Sequence, residues 1–193
     1  MAFSEKHKSF TDDELLQMIL TEKQNHFFEV IYDRYYQRVL DKSYSLLKNS
    51  ELAKDAVQNI FTRAFENLSK FKGNSAFASW LYSITYNYCI DFLRHQNHLH
   101  YPEWNSQQEL TEIIDETQED LGELDYDLLA NLLDQIHPEE KALLMMKYND
   151  DVSIREISSA LRISESATKM RLKRARSRLL FLYQSEIKSQ GRE

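Results

Sequence analysis

Between residues 162 and 178 the chain carries seven Lys or Arg side chains against one acidic residue. Cations of this kind do two things with DNA: they bind phosphates without reading sequence, and they reach guanine edges in the major groove and read it. Laid out at helical period, the run Ser164-Glu165-Ser166-Ala167-Thr168-Lys169-Met170-Arg171-Leu172-Lys173-Arg174-Ala175-Arg176-Ser177-Arg178 separates into two faces. Ile163, Ala167 or Thr168, Leu172, Ala175 and Leu179 fall on one side and pack inward, which leaves Lys169, Met170, Lys173 and Arg174 pointing outward. A solvated helix end needs only one or two cations in its last turn to satisfy its dipole, so cations spread along the whole segment point to nucleic acid.

Other chemistries find less support. Cys89, His95, His98 and His100 are soft and borderline metal ligands in one short stretch, but their spacing matches no zinc pattern and only one sulfur is present. Cys89 cannot make an internal disulfide, and its apolar neighbours suit a small hydrophobe in a core. No Gly-rich phosphate loop, paired carboxylate site or nucleophile–base pair stands out. The expectation is a protein with no catalytic residues, no metal and no cofactor.

The basic helix needs a partner to hold it in place, and the residues before it supply one. Ser153-Ile154-Arg155-Glu156 is a capping box with Val152 and Ile157 as its staple, a short helix runs to Leu161, and Arg162-Ile163 leads to a new cap at Ser164. A short helix, a tight turn and a longer second helix make a helix-turn-helix, whose second helix enters a DNA major groove. Upstream, Pro138 suits the first position of a helix, with Glu139 and Glu140 in the favourable first turn.

A separate helical region precedes this one. Thr11-Asp12-Asp13-Glu14 is a capping box, and apolar residues recur at three- and four-residue steps from Phe27 to Leu47, where Asn49-Ser50 breaks and recaps. Val57, Phe61, Ala64, Phe65 and Leu68 line one face of the next helix, and Ser75 caps another that runs through Trp80, Ile84, Tyr88 and Phe92. Only three Gly and two Pro interrupt 193 residues, so the fold class is all-α with two helical domains.

Charge is distributed unevenly over these parts. The net charge of -7 hides 12 basic against 12 acidic residues over 1–98, and no basic against ten acidic residues over 103–127. The acidity belongs to a flexible linker, not to the helix-turn-helix. No apolar run is long enough to span a membrane and the N-terminus carries no signal-peptide pattern, so a cytoplasmic protein without direct membrane insertion is expected.

Two ordered motif sets carry a resemblance across nearly the whole chain. The first is Phe28, Tyr32-Asp33-Arg34-Tyr35, Asp55-Ala56-Val57-Gln58-Asn59-Ile60-Phe61, Phe71-Lys72-Gly73-Asn74-Ser75-Ala76-Phe77-Ala78-Ser79-Trp80-Leu81 and Asp91-Phe92-Leu93-Arg94. The second is Pro138-Glu139-Glu140, Ile154-Arg155-Glu156-Ile157, Ile163-Ser164-Glu165 and Lys169 to Arg176. Together they resemble regions 2 and 4 of the extracytoplasmic-function sigma factors, the promoter-specificity subunits of bacterial RNA polymerase. The implied organisation is a region 2 domain over 1–96, an acidic linker over 97–127 and a region 4 helix-turn-helix domain over 128–193.

The resemblance implies roles. Asp55, Gln58, Asn59 and Phe61 stand where the family docks on the clamp helices of the polymerase's largest subunit, and the flap of the second subunit is a further implied partner. Phe71, Asn74, Ser75, Phe77, Trp80 and Asn87 fall in the element that melts minus-ten DNA and captures an unpaired base, a task suited to aromatic faces and small polar groups. Ser164, Glu165, Lys169, Met170, Arg171, Lys173 and Arg174 fall on the helix that reads the minus-thirty-five element. An anti-sigma factor is implied as a regulator. Three residues depart from the family pattern. Asn59 replaces a usual Glu, and Met170 replaces a small polar residue and is suited to a thymine methyl. Arg162 replaces a common Gly, so either a left-handed backbone there costs on the order of 1 kcal/mol or the turn differs. An ordinary helix-turn-helix regulator fits the C-terminal part alone, and residues 27–96 decide against it.

Overall fold

The structure is a computed structural model that describes residues 10–71, 73, 76–97 and 125–189. The chain separates into two compact units, Met1–Leu93 and Arg94–Glu193. Eight α-helices and no strands are found among the described residues.

In the first unit α1 (Asp12–Leu20) starts at the expected capping box, the Thr11 amide donating to Glu14 Oε2 at 2.7 Å and the Glu14 amide to Thr11 Oγ1 at 3.3 Å. The bonds that the Thr11 amide and, at 3.0 Å, the Thr11 hydroxyl donate to Oε2 hold the Glu14 carboxyl below the ordinary Glu range. The helix is tied to α2 (Phe28–Leu47), where Arg34 donates to the Asp12 carboxylate and to the Phe10 carbonyl, and the Tyr35 hydroxyl donates to Asp12. Lys48 ends α2 in the left-handed region at φ 52°, and Asn49 caps α3 (Ser50–Asn67), its Oδ1 accepting from the Glu51 and Leu52 amides at 3.0 and 3.1 Å.

A connection this short folds α2 and α3 into a helical hairpin. Ile31, Tyr35, Val39 and Leu46 are buried on α2, and Ala53, Val57, Ile60 and Ala64 on α3. The third wall is α4 (Phe77–Asn97), which buries Phe77, Leu81, Tyr82, Tyr86, Cys89 and Ile90. Each large apolar side chain so buried contributes roughly 1.5–3 kcal/mol. Lys42, 9% exposed, lays its ammonium 4.3 Å over the Tyr82 ring and donates to the Tyr86 hydroxyl at 3.4 Å.

The second unit opens with α5 (Tyr126–Leu133), capped by Asp125, whose Oδ1 accepts from the Leu128 amide at 3.0 Å. The sequence reading gave no helix here and carried the linker to residue 127; residues 98–124 lie outside the described residues. Pro138 begins α6 (Pro138–Leu144) as expected, behind a cap not foreseen, His137, whose Nδ1 accepts from the Glu139 amide at 3.2 Å. A π-helical turn, Met145–Asn149, extends α6. The Ser153/Glu156 capping box then starts α7 (Ile154–Leu161), which leads through Arg162–Ser164 into the 25-residue α8 (Glu165–Ser189). Leu143, Met146, Val152, Ile157, Leu161, Thr168, Leu172 and Ala175 close the core.

Candidate nucleic-acid interface

The turn between α7 and α8 sets the angle at which the basic helix is presented. Arg162 is left-handed, φ 56° and ψ 43°. Its amide donates to the Ser159 carbonyl at 3.4 Å and the Ile163 amide donates to the Ser158 carbonyl at 3.0 Å, the paired bonds of a Schellman motif. The first of the two alternatives for Arg162 therefore holds, at a residue with a Cβ. Ser164 starts α8, its Oγ accepting from the Ala167 amide at 3.1 Å, and Thr168 donates to the Ser164 carbonyl at 3.0 Å.

Beyond that cap the two faces separate as the periodicity requires. Thr168, Leu172 and Ala175 are buried, Leu179 is half-buried, and Lys169, Met170 and Lys173 are exposed with Arg174 half-exposed. Met170 leaves 54% of its surface to solvent, unusual for so apolar a side chain. Ser164 and Glu165 are also exposed. Arg171, which the resemblance places among the minus-thirty-five residues, is half-buried. It turns inward and places Nη1 3.0 Å from Glu139 Oε2, a carboxylate 1% exposed.

On the first unit, Phe71, Phe77 and Trp80 form an aromatic triad with ring centroids 5.4 to 5.7 Å apart. Phe71 and Trp80 are half-buried. Phe77 is 2% exposed and packs edge-on against Tyr35, so it belongs to the core, where a ring this size is held by the apolar area it removes from water, and it is not placed to stack on a base. Asn87 is half-buried, with its Oδ1 buried and without a hydrogen-bond partner among the described residues. Asn74 and Ser75 lie outside the described residues.

Along α3, Asp55, Gln58 and Asn59 are exposed in a row, Asn59 donating to the Asp55 carbonyl at 2.9 Å. Phe61 is 3% exposed and packs on Phe28 and Tyr32, so it supports this face from below. Among the described residues no group of three or more His, Cys, Asp or Glu side chains is placed to hold a metal ion. Cys89 is fully buried in the first unit, where burial pushes its thiol up to about 12, and His95 is exposed. His98 and His100 lie outside the described residues. Among the described residues no helix is long and apolar enough to cross a membrane.

Sequence reasoning missed Glu139, Glu140 and Arg178 as members of the site's support. Glu140 is 0% exposed and sits 3.3 Å from Arg178 Nη1. Burial, only partly offset by Arg178 and the His137 amide, raises its carboxyl above the ordinary Glu value. The available signal was two Glu at a helix start whose surrounding pattern is otherwise apolar.

These two units correspond to two known families of domain. Residues 31–98 match the family model described as Sigma-70 region 2, and residues 126–179 match the one described as Sigma-70, region 4. The chain is 30% identical over 166 residues to the ECF RNA polymerase sigma factor SigW of Bacillus subtilis, covering 79% of this chain and 86% of that protein. It is 27% identical to the RNA polymerase sigma factor YlaC of the same organism, covering 81% of this chain and 92% of that protein. Its fold is similar to the solved sigma factor RpoE in complex with the anti-sigma factor NepR from Bartonella quintana, with TM-score 0.54 and 18% identity over 80% of this chain and 95% of that one. A helix-turn-helix with a basic outer face, a helical bundle ahead of it and this agreement along both regions make the chain a member of the extracytoplasmic-function family of RNA polymerase sigma factors.

Proposed function

We propose that this sigma factor reads promoters through two separately built surfaces and performs no covalent chemistry itself. The observation that carries the reading is the outer face of α8, where Lys169, Met170, Lys173 and Arg174 stand together on the second helix of a helix-turn-helix. This face takes the minus-thirty-five element in the major groove, with Ser164 and Glu165 at the helix start reaching the same groove. Phe71 and Trp80 supply half-buried aromatic faces for an unpaired minus-ten base. Asn74, Ser75 and Asn87 supply the polar groups that select it.

The exposed row Asp55, Gln58 and Asn59 docks on the clamp helices of the polymerase's largest subunit, and the second unit meets the flap of the second subunit. The protein works in the cytoplasm as a dissociable subunit, and an anti-sigma factor withholds it from the polymerase. Each unit alone binds DNA weakly, and the tether raises the effective concentration of the second element once the first is engaged.

The test separates duplex binding from strand opening. Asn74→Ala in the holoenzyme leaves retention on duplex promoter DNA unchanged and reduces permanganate reactivity of minus-ten thymines. Normal reactivity in that variant removes Asn74 from base capture.

A further inference from the structure

We propose that Arg171 is a positioning residue and not a DNA ligand, and that the buried pair Glu139 and Glu140 fixes the rotation of the recognition helix through Arg171 and Arg178. The inference deepens the reading of α8 as the minus-thirty-five surface and rests on it.

Glu139 and Glu140 are adjacent in the first turn of α6 and are 1% and 0% exposed. Each holds a cation from α8: Arg171 Nη1 lies 3.0 Å from Glu139 Oε2, and Arg178 Nη1 lies 3.3 Å from Glu140 Oε2; the other oxygen of Glu139, Oε1, accepts from Arg94 Nε at 2.8 Å, so Glu139 bridges two cations. Arg171 and Arg178 are seven residues apart, so they stand on one stripe of α8 about two turns from each other. Two points of attachment along one stripe determine both the rotation of a helix about its axis and its position along it, which a single contact does not. Apolar packing of Leu172 and Ala175 between them is compatible with small rotations, whereas a rotation that withdraws Arg171 and Arg178 strips Glu140 of its cation and leaves Glu139 with Arg94 alone, both carboxylates being buried. The pair therefore selects the rotation that turns Lys169, Met170, Lys173 and Arg174 outward.

A consequence follows for the charge that meets DNA. Of the seven cations between 162 and 178, Arg171 and Arg178 are engaged with buried acids, and the outer face keeps Lys169, Lys173, Arg174 and Arg176. Removing Arg171 should then leave the number of phosphate contacts unchanged while blurring which bases are read.

The experiment is a salt titration of the full chain against a short duplex by fluorescence anisotropy, with a duplex carrying the mapped upstream element and a scrambled one. Lys173→Ala lowers the slope of log affinity against log salt by about 0.9, the value for one lost phosphate contact. Arg171→Met leaves that slope unchanged and lowers the ratio of mapped-element to scrambled affinity several-fold, and Arg171→Lys, which retains a cation for Glu139, restores most of the ratio. If Arg171→Met is not helical by circular dichroism, Glu139→Gln combined with Arg171→Met removes the buried charge as well, and the same two readouts apply. A slope lowered as much by Arg171→Met as by Lys173→Ala overturns the proposal alone, as does an unchanged ratio. Slopes and mapped-element affinities both unchanged in Lys169→Ala, Lys173→Ala and Arg174→Ala would remove α8 from DNA and overturn the underlying reading as well.

Discussion

The left-handed backbone of Arg162, φ 56° and ψ 43°, is a position where one pair of substitutions isolates one physical term. A side chain with a Cβ in this region costs roughly 1–2 kcal/mol, because the Cβ crowds the following carbonyl. Glycine escapes that cost but has a more flexible unfolded chain, which takes back about 0.4–1 kcal/mol. Arg162→Ala keeps the strain and loses the side chain, and Arg162→Gly loses both, so their difference does not depend on what the guanidinium touches. Working from these terms, the glycine variant should be more stable than the alanine variant by about 0.5–1 kcal/mol. For a unit of this size that is about 2–6 °C in Tm. Differential scanning calorimetry of the two proteins reads the difference in the transition of the second unit. A glycine variant melting at or below the alanine variant would refute the strain argument and with it the Schellman assignment of the turn.

Other consequences follow from the same geometry. Lys173→Ala or Arg174→Ala should weaken binding to the upstream element by about 1–3 kcal/mol if the side chain reads a base, or flatten the salt slope by about one if it holds a phosphate; no change in either quantity for both variants contradicts the outer-face assignment. Glu140 has its carboxyl raised by burial, so its ionised form opposes folding, and stability relative to Glu140→Gln should increase as pH falls from neutral through the raised folded value toward 4.5. Urea midpoints of the two proteins between pH 7.5 and 5 check this, and a constant or oppositely sloped gap contradicts it. Cys89, fully buried with its thiol at about 12, should react with a thiol reagent at pH 8 only as fast as the first unit opens, which labelling across a urea series measures. Rapid labelling without urea would place Cys89 outside the core.

What the sequence disclosed was what local chemistry determines. The Thr11 and Ser153 capping boxes, the Asn49 cap and Pro138 at a helix start each involve residues within one turn, and each stands where it was expected. The division of α8 into buried Thr168, Leu172 and Ala175 against exposed Lys169, Met170 and Lys173 follows from helical period alone. Arg171 sits at the seam of those faces, where helical period does not decide its direction, and it turns toward Glu139, 32 residues away in sequence. Phe77 and Phe61 resembled contact residues by motif, but their rings are needed by the cores beside Tyr35 and beside Phe28. The helix α5 did carry a signal, Leu128-Leu129 and Leu132-Leu133 at four-residue spacing behind Asp125, which the surrounding acidity obscured. His137 as a cap had no usable signature, since histidine is not among the residues that favour that position.

The central claim, that this chain gives RNA polymerase its choice of promoter, is tested most directly by run-off transcription with purified core enzyme on the DNA upstream of the protein's own gene. The expected result is a discrete transcript only when the full chain is added, lost on combining Lys173→Ala with Arg174→Ala. No transcript, together with tight binding of the protein alone to duplex DNA, would contradict the account and leave an ordinary helix-turn-helix regulator in its place.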